Sequence, residues 1–142
     1  MNMALFDAFK IAGSGMSAQA QRLNTVASNL ANAETAAEPG KEGYKARKVV
    51  FETVFQKESA GRTGAGVGEV RVKTVATDSS PGRLVFDPKH PMAGKDGYVL
   101  MPNVKVVEEM VDMVAASRSY QTNAEVMNTA KNLMLKTINL GQ

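Results

Sequence analysis

Residues 103–139 read NVKVVEEMVDMVAASRSYQTNAEVMNTAKNLMLKTIN, and this stretch decides the fold. Val106, Met110, Met113, Ser117, Tyr120, Ala124, Met127, Lys131, Met134 and Ile138 alternate by four and three along it. That period places them on one seam of a helix, as in a coiled coil. Asn103 after Pro102 suits an N-cap, and Glu108, Glu109 and Asp112 sit early while Lys131 and Lys136 sit late. Both arrangements complement a helix dipole. Gly141 follows where a terminating glycine belongs. The pattern predicts a helix over 103–139, about 55 Å long at about 1.5 Å per residue. A helix of that length exceeds the ~30 Å of a small domain and needs another helix against its seam.

The beginning of the chain supplies a partner. Phe9, Met16, Leu23 and Leu30 recur every seven residues, with Ala12, Val26 and Ala33 in the complementary positions and Gln19 as the polar exception. Gly13 and Gly15 interrupt the pattern, at about 1 kcal/mol each relative to Ala. The expected layout is a short apolar arm at 4–12, a soft joint at 13–15 and a firm helix over 16–33. This seam is shorter than the C-terminal one, so part of the latter is left over for assembly. Polar residues such as Gln121, Asn128 and Asn132 crowd the long helix. Polar residues at a seam set register at a cost in stability.

Between the helices the period changes to two. Ala46–Phe55 and Glu69–Thr77 read as strands, and Pro81-Gly82 is a turn before a short strand Arg83–Phe86. A Pro/Gly-rich loop, Asp87–Gly97, leads to extended Tyr98–Met101, and Gly61–Gly68 reads as a flexible connector. The fold class is therefore α+β. An N-terminal axial helix segment (1–35) and a C-terminal axial helix (103–142) pair as a coiled-coil-like unit, and 36–102 forms a small β-rich middle.

Composition limits the chemistry. The 142 residues carry no Cys and no Trp, one His and nine Met. Disulfides and thiolate metal sites are excluded, and stacking surfaces for nucleic acid are thinly supplied. The net charge of +3 lies wholly in 36–102, as 11 bases against 8 acids. That spread is a solvated surface rather than a nucleic-acid stripe. No apolar run approaches the ~20 residues of a membrane span. Asp7 and Lys10 interrupt the N-terminus, which predicts no cleavable secretory signal.

Candidate chemical sites are weak. Gly61–Gly68 lacks the Gly-Lys-Ser/Thr of a phosphate-binding loop. His90 stands between Lys89 and Pro91 without a nucleophile elbow nearby, which suits a loop or contact histidine. Glu108 and Asp112 share a helix face, but their early position makes dipole complementarity the simpler reading. Lys45-Ala46-Arg47-Lys48 is a basic cluster of a solvated or subunit-contacting strand. The expected reading is no enzyme, no cofactor, no metal and no small-molecule substrate.

Two signatures carry a family resemblance. Asn24–Thr35 (NTVASNLANAET) resembles the N-terminal signature of bacterial flagellar rod and hook proteins. Its motif residues are Asn29, Leu30, Ala31, Asn32 and Thr35, followed by Gly43-Tyr44-Lys45 after an insertion at 36–42. Tyr98–Val104 with Pro102 and Asn103, then Glu108–Met110 and Ala116–Asn123, is similar to the C-terminal signature. Asp87–Pro91 makes the likeness closest to proximal-rod members of the flagellar basal body.

The resemblance implies a structural subunit that polymerises through its terminal helices around the protein-export channel and transmits torque across the periplasm. Implied partners are further copies, other rod subunits, the adaptor between rod and membrane ring, and the flagellar type III export apparatus, with no nucleic acid. The implied location is the basal-body rod, reached without a cleaved signal. The assembly seam expected from spacing is Phe9, Met16, Leu23, Val26, Leu30, Val106, Met110, Met113, Tyr120, Ala124, Met127, Met134 and Ile138, and Asp at Met113, Tyr120 or Met127 is expected to block assembly. The alternative is a freestanding coiled-coil adaptor or binding module.

Overall fold

The computed structural model describes residues 2–55 and 68–140. Its elements run α1 (Asn2–Ala31), β1 (Arg47–Phe55), β2 (Gly68–Thr77), β3 (Arg83–Phe86), β4 (Tyr98–Met101) and α2 (Val106–Leu140). β1 pairs with β2, and β3 with β4. The α+β class and the four strand positions agree with the period analysis. The connector at 61–67 and the terminating Gly141 lie outside the described residues.

The chain folds as two compact units. The first comprises 1–21, 50–74 and 115–142. Its buried residues are small: Ala12, Ala18, Ala116 and Ala130. The expected soft joint is absent, because α1 runs unbroken through Gly13 and Gly15. Of the two glycines, Gly15 serves close packing, whereas Gly13 leaves space for a methyl group. A Cβ on Gly15 would stand 2.8 Å from Asn123 Nδ2, and one on Gly13 would stand 3.5 Å from Met127 Cε. The hydroxyl of Ser14 donates to the Ile11 carbonyl (2.9 Å) and accepts from the Val70 amide (3.1 Å), fixing β2 to the helix.

Gly13→Ala follows as a prediction. The added methyl meets Met127 at an ordinary van der Waals distance, and Ala is the better helix former. The variant should gain about 0.5–1 kcal/mol in urea unfolding and should swim normally. A loss of swimming with a stabilised fold would restore the hinge.

The second unit comprises 22–49 and 75–114. Val26, Ala33, Ala37, Ala46 and Val99 form its apolar interior, joined by buried Thr25, Asn29 and Glu109. β3 and β4 are antiparallel, with Arg83↔Met101, Leu84↔Leu100, Val85↔Val99 and Phe86↔Tyr98 opposed. The Phe86 and Tyr98 rings meet edge to face, centroids 5.1 Å apart. Gly97 closes the loop at φ +74°, and a Cβ there would strike Phe86 at 2.9 Å.

α2 starts at Val106, three residues later than spacing suggests. The Lys105 carbonyl accepts the first helical bond, from the Glu109 amide. Asn103 does not cap the helix, since its side chain bonds elsewhere. The buried line along α2 is also displaced. Glu109, Ala116 and Ala130 are buried and Asn123 half-buried, a strict heptad one residue N-terminal to the expected Met110, Ser117, Ala124 and Lys131. Alanines permit closer approach of backbones than larger side chains do, and Lys131 stays solvated.

Candidate functional site

Two asparagines organise the junction between helices and strands in the second unit. Asn29, in the last turns of α1, is fully buried. Its Nδ2 donates to the Arg47 carbonyl (2.8 Å), and its Oδ1 accepts from the Arg47 amide (2.9 Å) and the Tyr44 hydroxyl (2.9 Å). One side-chain amide thereby takes the place of a neighbouring strand at the start of β1. The Arg47 guanidinium sits 5.8 Å from the Tyr44 ring centroid, a cation–π distance.

Asn103 does the same for the preceding residue. Its Oδ1 accepts from the Ala46 amide (2.7 Å). Its Nδ2 faces the Asp78 and Ser80 carbonyls (both 3.1 Å) and the Ser80 hydroxyl (3.0 Å). The Asp78 amide in turn donates to the Ala46 carbonyl (2.8 Å). Every polar backbone group of Ala46 and Arg47 is thus paired, as buried backbone requires. The Asp78 carboxyl accepts from the Ser80 hydroxyl and amide, which hold its pKa below the ordinary value.

Several motif residues surround these clamps. Pro102 is buried, and Gly43, Tyr44 and Lys45 are half-buried. The Gly43 position faces Ala37 at 3.4 Å. Asn32 donates to the Ser28 carbonyl and accepts, through its own carbonyl, the Thr35 amide, closing the helix end. Ala31 and Thr35 are exposed.

The expected seam divides. Phe9, Met16, Leu23, Leu30, Met113, Ala124, Met127 and Met134 are half-buried and Val26 is buried, whereas Val106, Met110, Tyr120 and Ile138 are exposed. The chain itself covers the first group. Beyond the seam lies a second apolar stripe that the spacing analysis missed. Val107, Val111 and Val114 are 76%, 63% and 60% exposed and share one face at i, i+4 and i+7. Their spacing is readable in the sequence, but this stripe ends after two turns, whereas the Met-containing period on the neighbouring face runs the length of the helix. Among the described residues, ten of the nineteen exposed large hydrophobics lie on α2. In the first unit an apolar groove of about 390 Å³ is lined by Leu5, Ala8, Val126, Ala130 and Leu133.

Polar clusters here pair with one another. Arg22 bonds Asp112 at 2.9 Å, and Lys105 bonds Glu108 at 2.9 Å, which raises the lysine pKa. His90 Nδ1 accepts from the Met92 amide (3.1 Å). Among the described residues no group of three His, Cys, Asp or Glu side chains could hold a metal ion, and no helix is long and apolar enough to cross a membrane.

The chain is similar to known proteins over nearly its whole length. Residues 9–36 match the family described as flagella basal body rod protein. Residues 95–140 match the C-terminal family of the flagellar basal body rod FlgEFG proteins. The flagellar basal-body rod protein FlgC of Yersinia enterocolitica is 51% identical over 99% of this chain and 100% of its own. FlgC of Salmonella typhimurium is 50% identical at the same coverage. FlgC of Borreliella burgdorferi is 35% identical over 92% of this chain and 93% of its own.

Proposed function

This chain belongs to the FlgC family of flagellar basal-body rod proteins, and we propose that it builds the rod through the outward face of α2. A structural rod subunit is what the family makes, in assembly with other rod components at the basal body. The observation that supports the route is the exposed stripe Val107, Val111 and Val114 beside Met110. Monomeric soluble proteins rarely leave a contiguous apolar stripe uncovered. Packing it against helices of neighbouring subunits removes it from water. Half-buried Phe9, Met16, Leu23, Leu30, Met113, Ala124, Met127 and Met134 hold the chain's own helices and so support the outer face rather than forming it.

The finer reading is that the helices line an axial tube around the export channel and carry torque without sliding. Val106, Met110, Tyr120 and Ile138 extend the outer surface along α2. Neighbouring copies, other rod subunits and the adaptor to the membrane ring are the partners. The chain reaches the periplasm through the type III export apparatus and acts there without catalysis or cofactor. The Asn29 and Asn103 clamps hold the β region at a defined place against the helix ends, so that load on a helix passes to the rest of the unit.

The test is complementation. Cells lacking their own copy should regain swimming when supplied with this chain, and purified basal bodies should contain it. Rods that form and turn without the chain would overturn the proposal.

A further inference from the structure

The β3–β4 hairpin has one closed edge and one open edge. The Asp87 amide bonds the Gly97 carbonyl, and residues 83–86 oppose 101–98 in the same register. Hydrogen-bonded and non-hydrogen-bonded pairs alternate in an antiparallel ladder. Arg83, Val85 and Asp87 therefore turn their backbone groups toward β4, and Leu84 and Phe86 turn theirs away. The same alternation turns the groups of Tyr98 and Leu100 outward on the far side. There the Gly94 amide covers the Tyr98 carbonyl and the Ala37 amide covers the Leu100 carbonyl. On the β3 side, among the described residues, no backbone group bonds Leu84 or Phe86, and these residues are 65% and 64% exposed.

We propose that this edge pairs with the same edge of a second copy of the chain, antiparallel, with Val85 opposite Val85 of the other copy. The strand is self-complementary in this register. Leu84 faces Phe86 of the other copy, both with outward amide and carbonyl groups, and the two equivalent pairs supply four hydrogen bonds. Arg83 falls directly opposite Asp87, twice across the two-fold, as a cross-strand pair of opposite charge. Pro88 follows Asp87 and Pro81-Gly82 precedes Arg83. Slipping one strand by one residue sets outward groups against inward ones, and slipping it by two sets Gly82 or the amide-less Pro88 against an outward group; none of these registers puts either arginine opposite an acid. The four exposed apolar side chains then cover one another. The contact is closed by its two-fold axis and stops at two copies. It stands independently of the α2 stripe, whose contacts lead to an open polymer.

The absence of cysteine makes the test clean. Val85→Cys in the full chain puts the two sulfurs in a non-hydrogen-bonded pair, with Cα atoms about 4.5 Å apart, inside the ~4.4–6.8 Å that a disulfide spans. Mild oxidation of the purified protein should give a covalent dimer. Leu84→Cys places its equivalents diagonally, roughly 7–8 Å apart, and should yield at least tenfold less. In the Val85→Cys background, Arg83→Asp or Asp87→Arg alone sets like charges opposite and should lower the yield about tenfold. The two changes together restore opposite charges and should restore the yield. A Val85→Cys chain that stays monomeric overturns the proposal. So does a dimer that forms equally from Leu84→Cys, or one that ignores the charge exchange, since either would come from contacts elsewhere such as α2.

Discussion

Val111→Asp should leave the monomer folded and abolish rod assembly. Val111 is 63% exposed and lies on the face of α2 that its own chain does not cover. A substitution at such a surface position usually changes stability by less than about 0.5 kcal/mol. In an assembled rod the new carboxylate would be buried without a partner, at a cost of about 3–5 kcal/mol per contact. Each 1.4 kcal/mol is about tenfold in affinity, so the contact should weaken by a hundredfold or more. The expected readings are a normal urea transition, non-swimming cells and basal bodies without complete rods. Normal swimming would remove the outward face from the interface. Met127→Asp behaves differently, because Met127 packs against the Gly13 backbone in the same chain. That variant should fail by unfolding the first unit, and a stable monomer would put Met127 back on the assembly face.

Asn29→Ala should cost about 2–4 kcal/mol of stability, a large share of the roughly 5–15 kcal/mol that holds a domain together. The substitution strands the amide and carbonyl of Arg47 and the hydroxyl of Tyr44 in one part-buried place. Each orphaned group costs about 1–3 kcal/mol, less whatever water recovers. Asn29→Asp offers no rescue, because an acceptor oxygen would then face the Arg47 carbonyl. Tyr44→Phe removes a single bond, worth about 0.5–1.5 kcal/mol. The order Tyr44→Phe, then Asn29→Ala and Asn29→Asp, should appear in the urea midpoints. Equal midpoints for wild type and Asn29→Ala would show that the clamp does not hold the strand.

The helices and strands were legible because their periods differ. Four-and-three spacing marked α1 and α2, and Val-rich alternation marked β1 and β2. Less legible was which side of each helix its own chain would cover. The line through Met110, Met113, Tyr120, Met127 and Met134 is the longer apolar pattern, yet the buried line runs through Glu109, Ala116 and Ala130. Close packing selects small side chains, and hydrophobicity alone does not rank alanine high. Gly13 and Gly15 misled for the same reason. A glycine in a helix reads as a weak point by propensity, while here α1 runs unbroken through both and Gly15 makes room for Asn123. Asn103 suits a cap in sequence because caps are local. Its actual partners, Ala46, Asp78 and Ser80, are distant in the chain, and no local pattern encodes them. The family resemblance singles out both Asn29 and Asn103, and the fold gives them their hydrogen-bonding role.

The clamps also impose an order on folding. Asn29 closes on Arg47 across 18 residues, whereas Asn103 closes on Ala46 across 57. Long-range closures of this kind come late, since loop entropy must be met before they reward the chain. A nascent chain of which only the first half has emerged can form α1 and seat Arg47 on Asn29, but the amide of Ala46 must wait for residue 103. Until then the strand entry is held on one side only and the partial fold can be pulled apart again. A protein built in this way commits to its structure only after most of its length has arrived, so a chain stalled midway stays pliable.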